Sequence, residues 1–372
     1  MTFQKNSASV YLFTILVKFA VWLQAIPHKI TPPPLRLLQI GSAFWQSRAL
    51  FVATYLNIAK HLGDETLTAE AIAEQVLAKP DAIYRLLRML AAMGIFEEVS
   101  SHVFKNNALS AYLRDDHPKN VKAMILMHNS MEMSKPWYEQ LELGIQSGEV
   151  PFRLSHGEEF YDYLDNHAEF DALFSYAMDS VEALTGNSFA TDFNWGAFNR
   201  IIDVGGSKGS KSLAILKQYP HLAALVFDRE QVTNTAPSYW AGKESSELLS
   251  RITYQAGNLL ESIPTAKDDK DIYLLSAVLH GFDDTSCLKV LRKIAAAMTD
   301  TGARIALMEL VVPELKADIS SATFDMQMFM ATRGKERTLA EWTNLFDQAG
   351  LVLEEQVHLK SIGKILVLQQ KS

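Results

Sequence analysis

The chain has almost no cysteine: Cys287 is the only one among its 372 residues. A single thiol excludes a disulfide within the chain and a cysteine-rich zinc site. It also suits the reducing cytoplasm, which is the location we predict. The histidines show no HExxH spacing, so we predict no metal site.

Long basic runs are also missing. No run of basic residues exceeds a pair, and 35 basic residues stand against 43 acidic ones, for a net charge of −8. Binding to nucleic-acid phosphates needs a positive face, so we predict no nucleic-acid partner. The length, with 48% hydrophobic residues, allows a large core and predicts two domains.

One segment near the start is apolar on nearly every helical face. Residues 9–26 are interrupted only by Lys18 and Gln24, and a helix that is apolar all round must be buried somewhere. Packing against a partner subunit is the favoured interpretation. A membrane surface and a signal peptide are the alternatives, although no clear cleavage site follows. The prolines at 32–34 are expected to end this helix.

The next region has the order helix, helix, β-hairpin. Thr68 caps a short helix, Pro80 opens an amphipathic one, and two short strands follow at 96–99 and 102–105. This is a winged-helix pattern, which often binds DNA. Acidic residues surround its second helix, so packing is favoured: Asp81, Glu97, Glu98, Asp115 and Asp116.

Residues 108–193 are predicted to be helical and rich in methionine and aromatic side chains. Such side chains suit an adaptable apolar pocket, although core packing explains any single one equally well. The predicted substrate contacts in this region are Met127, Met131, Trp137, Phe174 and Met178.

From residue 200 onward, apolar strand candidates alternate with helices. They lie at 201–204, 222–227, 252–255, 272–275, 305–310 and 365–369. The alternation predicts an α/β fold with a doubly wound, mostly parallel sheet, in which ligands bind at the carboxyl ends of the strands.

The first of these strands runs into a glycine-rich turn. Asp203 precedes Gly205, Gly206 and Gly209, with Ser207 between them. Glycines let the backbone approach a ligand closely, and the amides that open the next helix favour an anionic group. Serines stand at two positions where the dinucleotide fingerprint needs glycine, so NAD is disfavoured, and an ordinary tight turn remains an alternative.

This turn resembles the first motif of S-adenosylmethionine (SAM)-dependent methyltransferases. By that resemblance, Asp203 and the loop, including Ser207, hold the methionine end of SAM, and Asp228 after the second strand binds the ribose. Asn258 and Leu259 follow the third strand, where they are placed to contact the adenine.

Later strand ends add a histidine and two acids. His280 follows the fourth strand, Glu309 lies on the fifth, and Glu336 lies in the charged loop at 333–342. We predict that all three converge on the cofactor crevice. A lone histidine before a turn is more often structural, so a catalytic role for His280 depends on the motifs that accompany it.

The whole series resembles the small-molecule O-methyltransferases that include plant caffeate and flavonoid enzymes and bacterial polyketide and phenazine enzymes. The matching order is Asp-Val-Gly-Gly, Phe-Asp, Gly-Asn, Leu-His-x-Phe-Asp-Asp, Met-Glu and Gly-x-Glu-Arg-Thr-x-x-Glu-Trp. The resemblance implies a homodimer, a dimerisation domain at 1–115 and a Rossmann-like SAM-binding domain at 116–372, with its pocket segment at about 116–195. It also implies that His280 is the general base, held by Glu309 and Glu336, and that Met328 contacts the substrate.

Several positions depart from that family. Ser207 replaces a glycine, Asn258 replaces an acid, and Ser276, a predicted cofactor contact, stands where plant members have lysine. None removes a group that the reaction needs. Two alternatives remain open: a SAM-binding enzyme of this fold with a non-methylating reaction (cyclisation, hydroxylation or decarboxylation), and a non-catalytic DNA-binding or scaffold protein.

Overall fold

A computed structural model of the chain describes residues 2–361 and 363–371. Residue contacts divide the chain into two units. The helical unit comprises Ala20–Gly186, and the sheet unit comprises Met1–Phe19 with Asn187–Ser372. The predicted domain boundary after residue 115 stays a prediction.

The first half of the helical unit contains the predicted winged helix. Its elements, with the preceding first helix, are α1 (Ser7–Ile30), α2 (Pro33–Gly41), α3 (Ala43–Tyr55), α4 (Ile58–Leu62), β1 (Thr66–Thr68), α5 (Ala69–Gln75), α6 (Pro80–Ala92), β2 (Phe96–Ser100) and β3 (Val103–Asn106). The Thr68 side chain caps α5, and Pro80 is in the first turn of α6, as predicted. The hairpin is joined by the short β1, which the sequence analysis missed, in a sheet of order β1-β3-β2.

The second half of this unit is helical, as predicted. It contains α7 (Lys122–His128), α8 (Met131–Glu139), α9 (Leu141–Ser147), α10 (Pro151–His156), α11 (Phe160–Asn166) and α12 (Ala168–Thr185). Aromatic rings fill the space between α10, α11 and α12. The ring centroids of Phe152 and Phe160 lie 5.2 Å apart in an edge-on arrangement. The centroids of Phe160 and Phe174 lie at the same distance in the same arrangement.

The sheet unit has the predicted doubly wound architecture. Its elements are α13 (Ser188–Asp192), β4 (Arg200–Val204), α14 (Ser210–Gln218), β5 (Ala223–Asp228), α15 (Glu230–Trp240), α16 (Ser246–Leu249), β6 (Ile252–Ala256), β7 (Asp271–Ser276), α17 (Asp284–Ala297), β8 (Arg304–Glu309), β9 (Val311–Val312), α18 (Ile319–Ala331), β10 (Arg337–Thr338), α19 (Leu339–Gln348), β11 (Leu351–His358) and β12 (Lys364–Gln370). The seven-stranded sheet has the order β11-β12-β8-β7-β4-β5-β6.

Five of these strands are parallel, and β11 and β12 pair antiparallel at one edge. Side chains alternate between the two faces of the sheet, as the pleat requires. Ile201 lies in one hydrophobic cluster, and Ile202 and Val204 lie in another. With both faces covered, the carboxyl ends of β4, β5 and β7 are left to carry the polar residues of the site.

Candidate active site

The turn between β4 and α14 adopts backbone conformations that explain its glycines. Gly205 and Gly209 have φ of +71° and +82°, in the left-handed region that favours glycine. A Cβ on Gly205 would also lie 2.9 Å from Cγ2 of Val278, and one on Gly206 would overlap the Asp203 carboxylate. Ser207 has a φ of +52°, which is strained for a residue with a side chain. The loop is therefore held in a shape that larger residues would disturb.

The two predicted acids beside this loop have different surroundings. Asp203 is 1% exposed, and its Oδ2 accepts a hydrogen bond from Ser212 Oγ at 2.6 Å. Asp228 is half-buried at the end of β5, and its Oδ2 accepts a hydrogen bond from the Ser207 amide at 2.8 Å. Asp203 thus ties β4 to α14, and Asp228 faces the loop from the neighbouring strand. Their predicted contacts with the methionine end and the ribose stay predictions.

The remaining predicted cofactor contacts follow β6 and β7. Asn258 is exposed, and its side chain holds its own turn by accepting from the Leu260 amide at 2.9 Å and donating to Glu261 Oε1 at 3.3 Å. Leu259 is partly buried against the hydrophobic cluster under the sheet. Ser276 is the last residue of β7 and is half-buried. Their roles toward a cofactor remain predictions.

The structure brings the three predicted catalytic residues together. Nδ1 of His280 lies 2.6 Å from Oε1 of Glu336. Glu309 Oε1 accepts hydrogen bonds from the amides of Val278 and Leu279, at 3.1 and 2.9 Å, and so fixes the turn that carries the histidine. When Nδ1–H of His280 donates a hydrogen bond to Glu336, Nε2 carries the lone pair and can accept a proton.

This cluster is nearly closed to solvent. The His280 side chain is 14% exposed, and the Glu336 side chain is fully buried. The Oε2 atoms of Glu309 and Glu336 are buried without a hydrogen-bond partner among the described residues. Burial disfavours charge, so such oxygens are costly unless a cation or a proton balances them.

Burial and the neighbouring charges shift the acidities in this cluster. Burial raises the pKa of Glu309 to about 7, against the lowering effect of His280. For His280, burial acts to lower the pKa, but the charges of Glu309 and Glu336 and the hydrogen bond with Glu336 outweigh it, so the pKa is raised. A histidine with a raised pKa accepts a proton more readily than a free imidazole.

Two residues that the sequence analysis did not single out hold the histidine turn in place. Arg337 is fully buried, and its guanidinium donates to the Phe282 carbonyl at 2.8 Å and to Asp284 Oδ1 at 2.9 Å. Gly334 packs so tightly on the turn that a Cβ there would overlap the His280 carbonyl oxygen and lie 2.6 Å from the carbonyl carbon of Gly281. Both belong to the Gly-x-Glu-Arg-Thr motif, so this motif is the sequence signal that could have identified them.

The predicted substrate residues are distributed over both units. Met127 is buried in α7, Met131 is 66% exposed at the start of α8, and Trp137, Phe174 and Met178 are partly buried. Met328 is partly buried on α18 of the sheet unit. On the same helix, the Phe324 ring lies 6.0 Å from the His280 ring. A role for the five residues of the helical unit stays a prediction, whereas α18 does lie beside the histidine.

Comparison with known sequences gives two matches to family models. A model described as an O-methyltransferase domain matches residues 138–352. A second, described as an O-methyltransferase dimerisation domain, matches residues 38–116. The second match supports the predicted homodimer.

Two similar proteins are methyltransferases as well. The chain is 29% identical over 320 residues to the phenazine O-methyltransferase PhzM of Lysobacter antibioticus, covering 86% of this chain and 91% of the relative. It is also 29% identical to the phenazine-1-carboxylate N-methyltransferase of Pseudomonas aeruginosa, covering 89% of this chain and 96% of the relative.

One similar solved structure contains the cofactor SAM. The O-methyltransferase NcsB1 from neocarzinostatin biosynthesis, in complex with SAM and 2-hydroxy-5-methyl naphthoic acid, matches with a TM-score of 0.74 and 27% identity. The match covers 87% of this chain and 96% of the other.

Proposed function

This chain belongs to the O-methyltransferase family and is a SAM-dependent methyltransferase, and from that premise we propose that its acceptor is a hydroxyl group. The substrate is an aromatic or polyketide-like small molecule, and His280 is the general base. The observation that carries the proposal is the pair of His280 Nδ1 and Glu336 Oε1 at 2.6 Å, in a cluster that Glu309 completes.

The residues beside the glycine loop suit SAM. The cofactor supplies a methyl group on a sulfonium cation, together with ribose hydroxyls and an adenine. The position of Asp228, at the end of β5 with its Oδ2 accepting from the Ser207 amide, supports its proposed role as the acceptor for the ribose hydroxyls. We propose that Asp203, Gly205, Gly206, Ser207 and Gly209 hold the methionine end, that Asn258 and Leu259 contact the adenine, and that Ser276 is a further cofactor contact. The unpaired carboxylate oxygens of Glu309 and Glu336 suit a crevice that receives a cation.

His280 has the properties that a hydroxyl acceptor requires. A phenol has a pKa near 10, so at neutral pH nearly all of it is protonated, and its oxygen attacks faster when a base removes the proton during attack. Nε2 of His280 is the atom that takes it, because Nδ1 is committed to Glu336. Glu336 then stabilises the imidazolium that forms, and Glu309 adds a second nearby charge.

The side chains around the substrate determine which acceptor molecule can bind. Phe324, near the His280 ring, and Met328 on the same helix give this side an apolar wall suited to a flat aromatic molecule. We propose that Met127, Met131, Trp137, Phe174 and Met178 supply further apolar contacts.

A nitrogen acceptor is the second candidate, because one relative named above is an N-methyltransferase. A neutral amine carries its own lone pair and gains less from a base. The identity of the acceptor atom therefore determines how much His280 contributes to the rate of methyl transfer.

The test is a methyl-transfer assay with labelled SAM and matched acceptors. We expect hydroxylated naphthoates or phenazines to yield O-methyl product with one S-adenosylhomocysteine per turnover. His280→Ala should lower kcat about 10²-fold while the Kd for SAM stays nearly unchanged. Transfer to the amine analogues alone, or full activity of the variant, would contradict the proposal. Product formed without S-adenosylhomocysteine would favour the non-methylating alternative.

A further inference from the structure

The first helix, α1, leaves an unusually large apolar surface uncovered. Among the described residues, it is the one helix long and apolar enough to cross a membrane, over Ser7–Pro27, and 6% of that stretch is buried. Exposed apolar side chains occur on most of its faces: Tyr11, Leu12, Ile15, Leu16, Val17, Phe19, Val21, Trp22 and Leu23. A surface of this kind marks an interaction site.

The same region is free of negative charge. All 43 acidic residues of the chain lie from Asp64 onward, whereas six of the 35 basic residues precede it: Lys5, Lys18, Lys29, Arg36, Arg48 and Lys60. The protein as a whole has a net charge of −8. Two of these basic residues, Lys18 and Lys29, lie on α1, so the helix combines exposed apolar side chains with positive charge and carries no acid. This is the combination that binds an anionic lipid surface.

A groove beside α1 has the same character. It is formed within the sheet unit by α1 and the ends of β11 and β12, and Phe13, Val17 and Leu359 give it apolar walls. Lys18, His358 and Lys364 also line it. Burial lowers the pKa of Lys364, and an anion in the groove would stabilise its charged form. A phosphate head group with an acyl chain matches such a lining.

Connectivity argues against α1 crossing the bilayer. The amides of Phe3 and Gln4 donate to the Glu355 carboxylate, at 2.7 and 3.0 Å, so the start of the chain is fixed to the sheet unit. The chain then passes through α1 into the helical unit and returns to the sheet unit at Asn187. A crossing at α1 would require a second crossing on the way back, and the described residues contain no second helix of that kind.

A second copy of the chain is the competing occupant. The match to the family's dimerisation domain begins at residue 38, after α1 has ended. A two-fold interface pairs a surface with itself. Packing α1 on α1 would therefore place Lys18 and Lys29 of one copy against a helix that carries the same two lysines and no acid to neutralise them.

We propose that α1 and the groove beside it dock the protein on the surface of an anionic phospholipid bilayer, with the helix lying in the plane of the near leaflet. The exposed apolar side chains enter the acyl region, and the basic side chains contact the head groups. The protein is then a peripheral membrane enzyme. This inference is independent of the acceptor atom proposed above.

Vesicle co-sedimentation of the full chain tests the proposal. We expect the protein to pellet with vesicles of phosphatidylcholine and phosphatidylglycerol, to bind weakly to phosphatidylcholine alone, and to be released as salt is raised. Lys18→Glu with Lys29→Glu should weaken binding about 25-fold or more, at roughly fivefold for each lost basic residue. Lys119→Glu with Lys289→Glu, an equal charge change at exposed residues elsewhere, should bind as the parent does.

A second variant tests the apolar contribution. Leu12→Ser, Leu16→Ser and Leu23→Ser change exposed side chains and should abolish pelleting, while the dimer measured by sedimentation velocity is unchanged. A protein that stays in the supernatant with every vesicle would overturn the proposal, as would equal binding to neutral vesicles. Conversion of the serine variant to monomers would also overturn it, in favour of the second copy.

Discussion

Glu309→Gln should change how the stability of the protein depends on pH. Glu309 is fully buried beside His280, and folding raises its pKa from 4.5 to about 7. Glutamine keeps an oxygen that can accept from the Val278 and Leu279 amides, but it removes the negative charge. The variant therefore isolates the effect of the buried charge.

The sign follows from which state binds the proton more tightly. Because the folded pKa of Glu309 is raised, the folded state holds its proton better, so the free energy of unfolding falls as pH rises from 4.5 to about 7. His280 acts in the same direction above 6.5, since its pKa is also raised. At 1.36 kcal/mol for each pKa unit, the Glu309 shift corresponds to a loss of about 3 kcal/mol across this range.

Urea unfolding without SAM, followed by tryptophan fluorescence between pH 5 and about 8, measures this loss. We expect a steep decline for the parent and a much flatter profile for Glu309→Gln, which also removes the charge that raises the pKa of His280 most. Glu247→Gln, at an exposed acid of α16, is the control and should follow the parent. Parallel profiles for the parent and Glu309→Gln would refute the reasoning.

Three further predictions concern the cofactor loop and the histidine turn. Asp228→Ala should weaken SAM binding about 10-fold or more by calorimetry, since a hydrogen bond to a charged group is lost; an unchanged Kd would exclude its ribose role. Ser207→Gly should raise the free energy of unfolding by about 1 kcal/mol, because φ of +52° is strained for serine, and a less stable variant would contradict this explanation. Gly334→Ala should lower kcat about 10²-fold by displacing the His280 turn, whereas Gly41→Ala, where a Cβ meets nothing within 4 Å, should leave kcat unchanged.

The sequence predicted the parallel strands well because most of them are short apolar runs with largely buried side chains. Three of them, β5, β7 and β8, end in a polar residue. It missed β11, Leu351–His358, as a strand. That segment carries Glu354 and Glu355 in its middle, and it lies at the antiparallel edge of the sheet, where one side is open and the apolar run is broken.

The candidate site was predictable in its members but not in their contacts. Motif order placed His280, Glu309 and Glu336 together, and the 2.6 Å pair confirms that two of them meet. The sequence could not show that the Glu309 carboxylate binds the backbone of the histidine turn, or that Arg337 is fully buried against that turn. Such contacts depend on the path of two loops that are distant in sequence, which periodicity does not encode.

The role of His280 is tested most directly by the dependence of its contribution on the acidity of the acceptor. Single-turnover rates of labelled methyl transfer are measured for the parent and His280→Ala with a series of phenols whose pKa ranges from below the assay pH to about 10. The account predicts a loss of about 10²-fold for phenols that are protonated in solution, shrinking toward none for phenols that are already ionised. A loss of the same size across the whole series would show that the imidazole does not remove the proton.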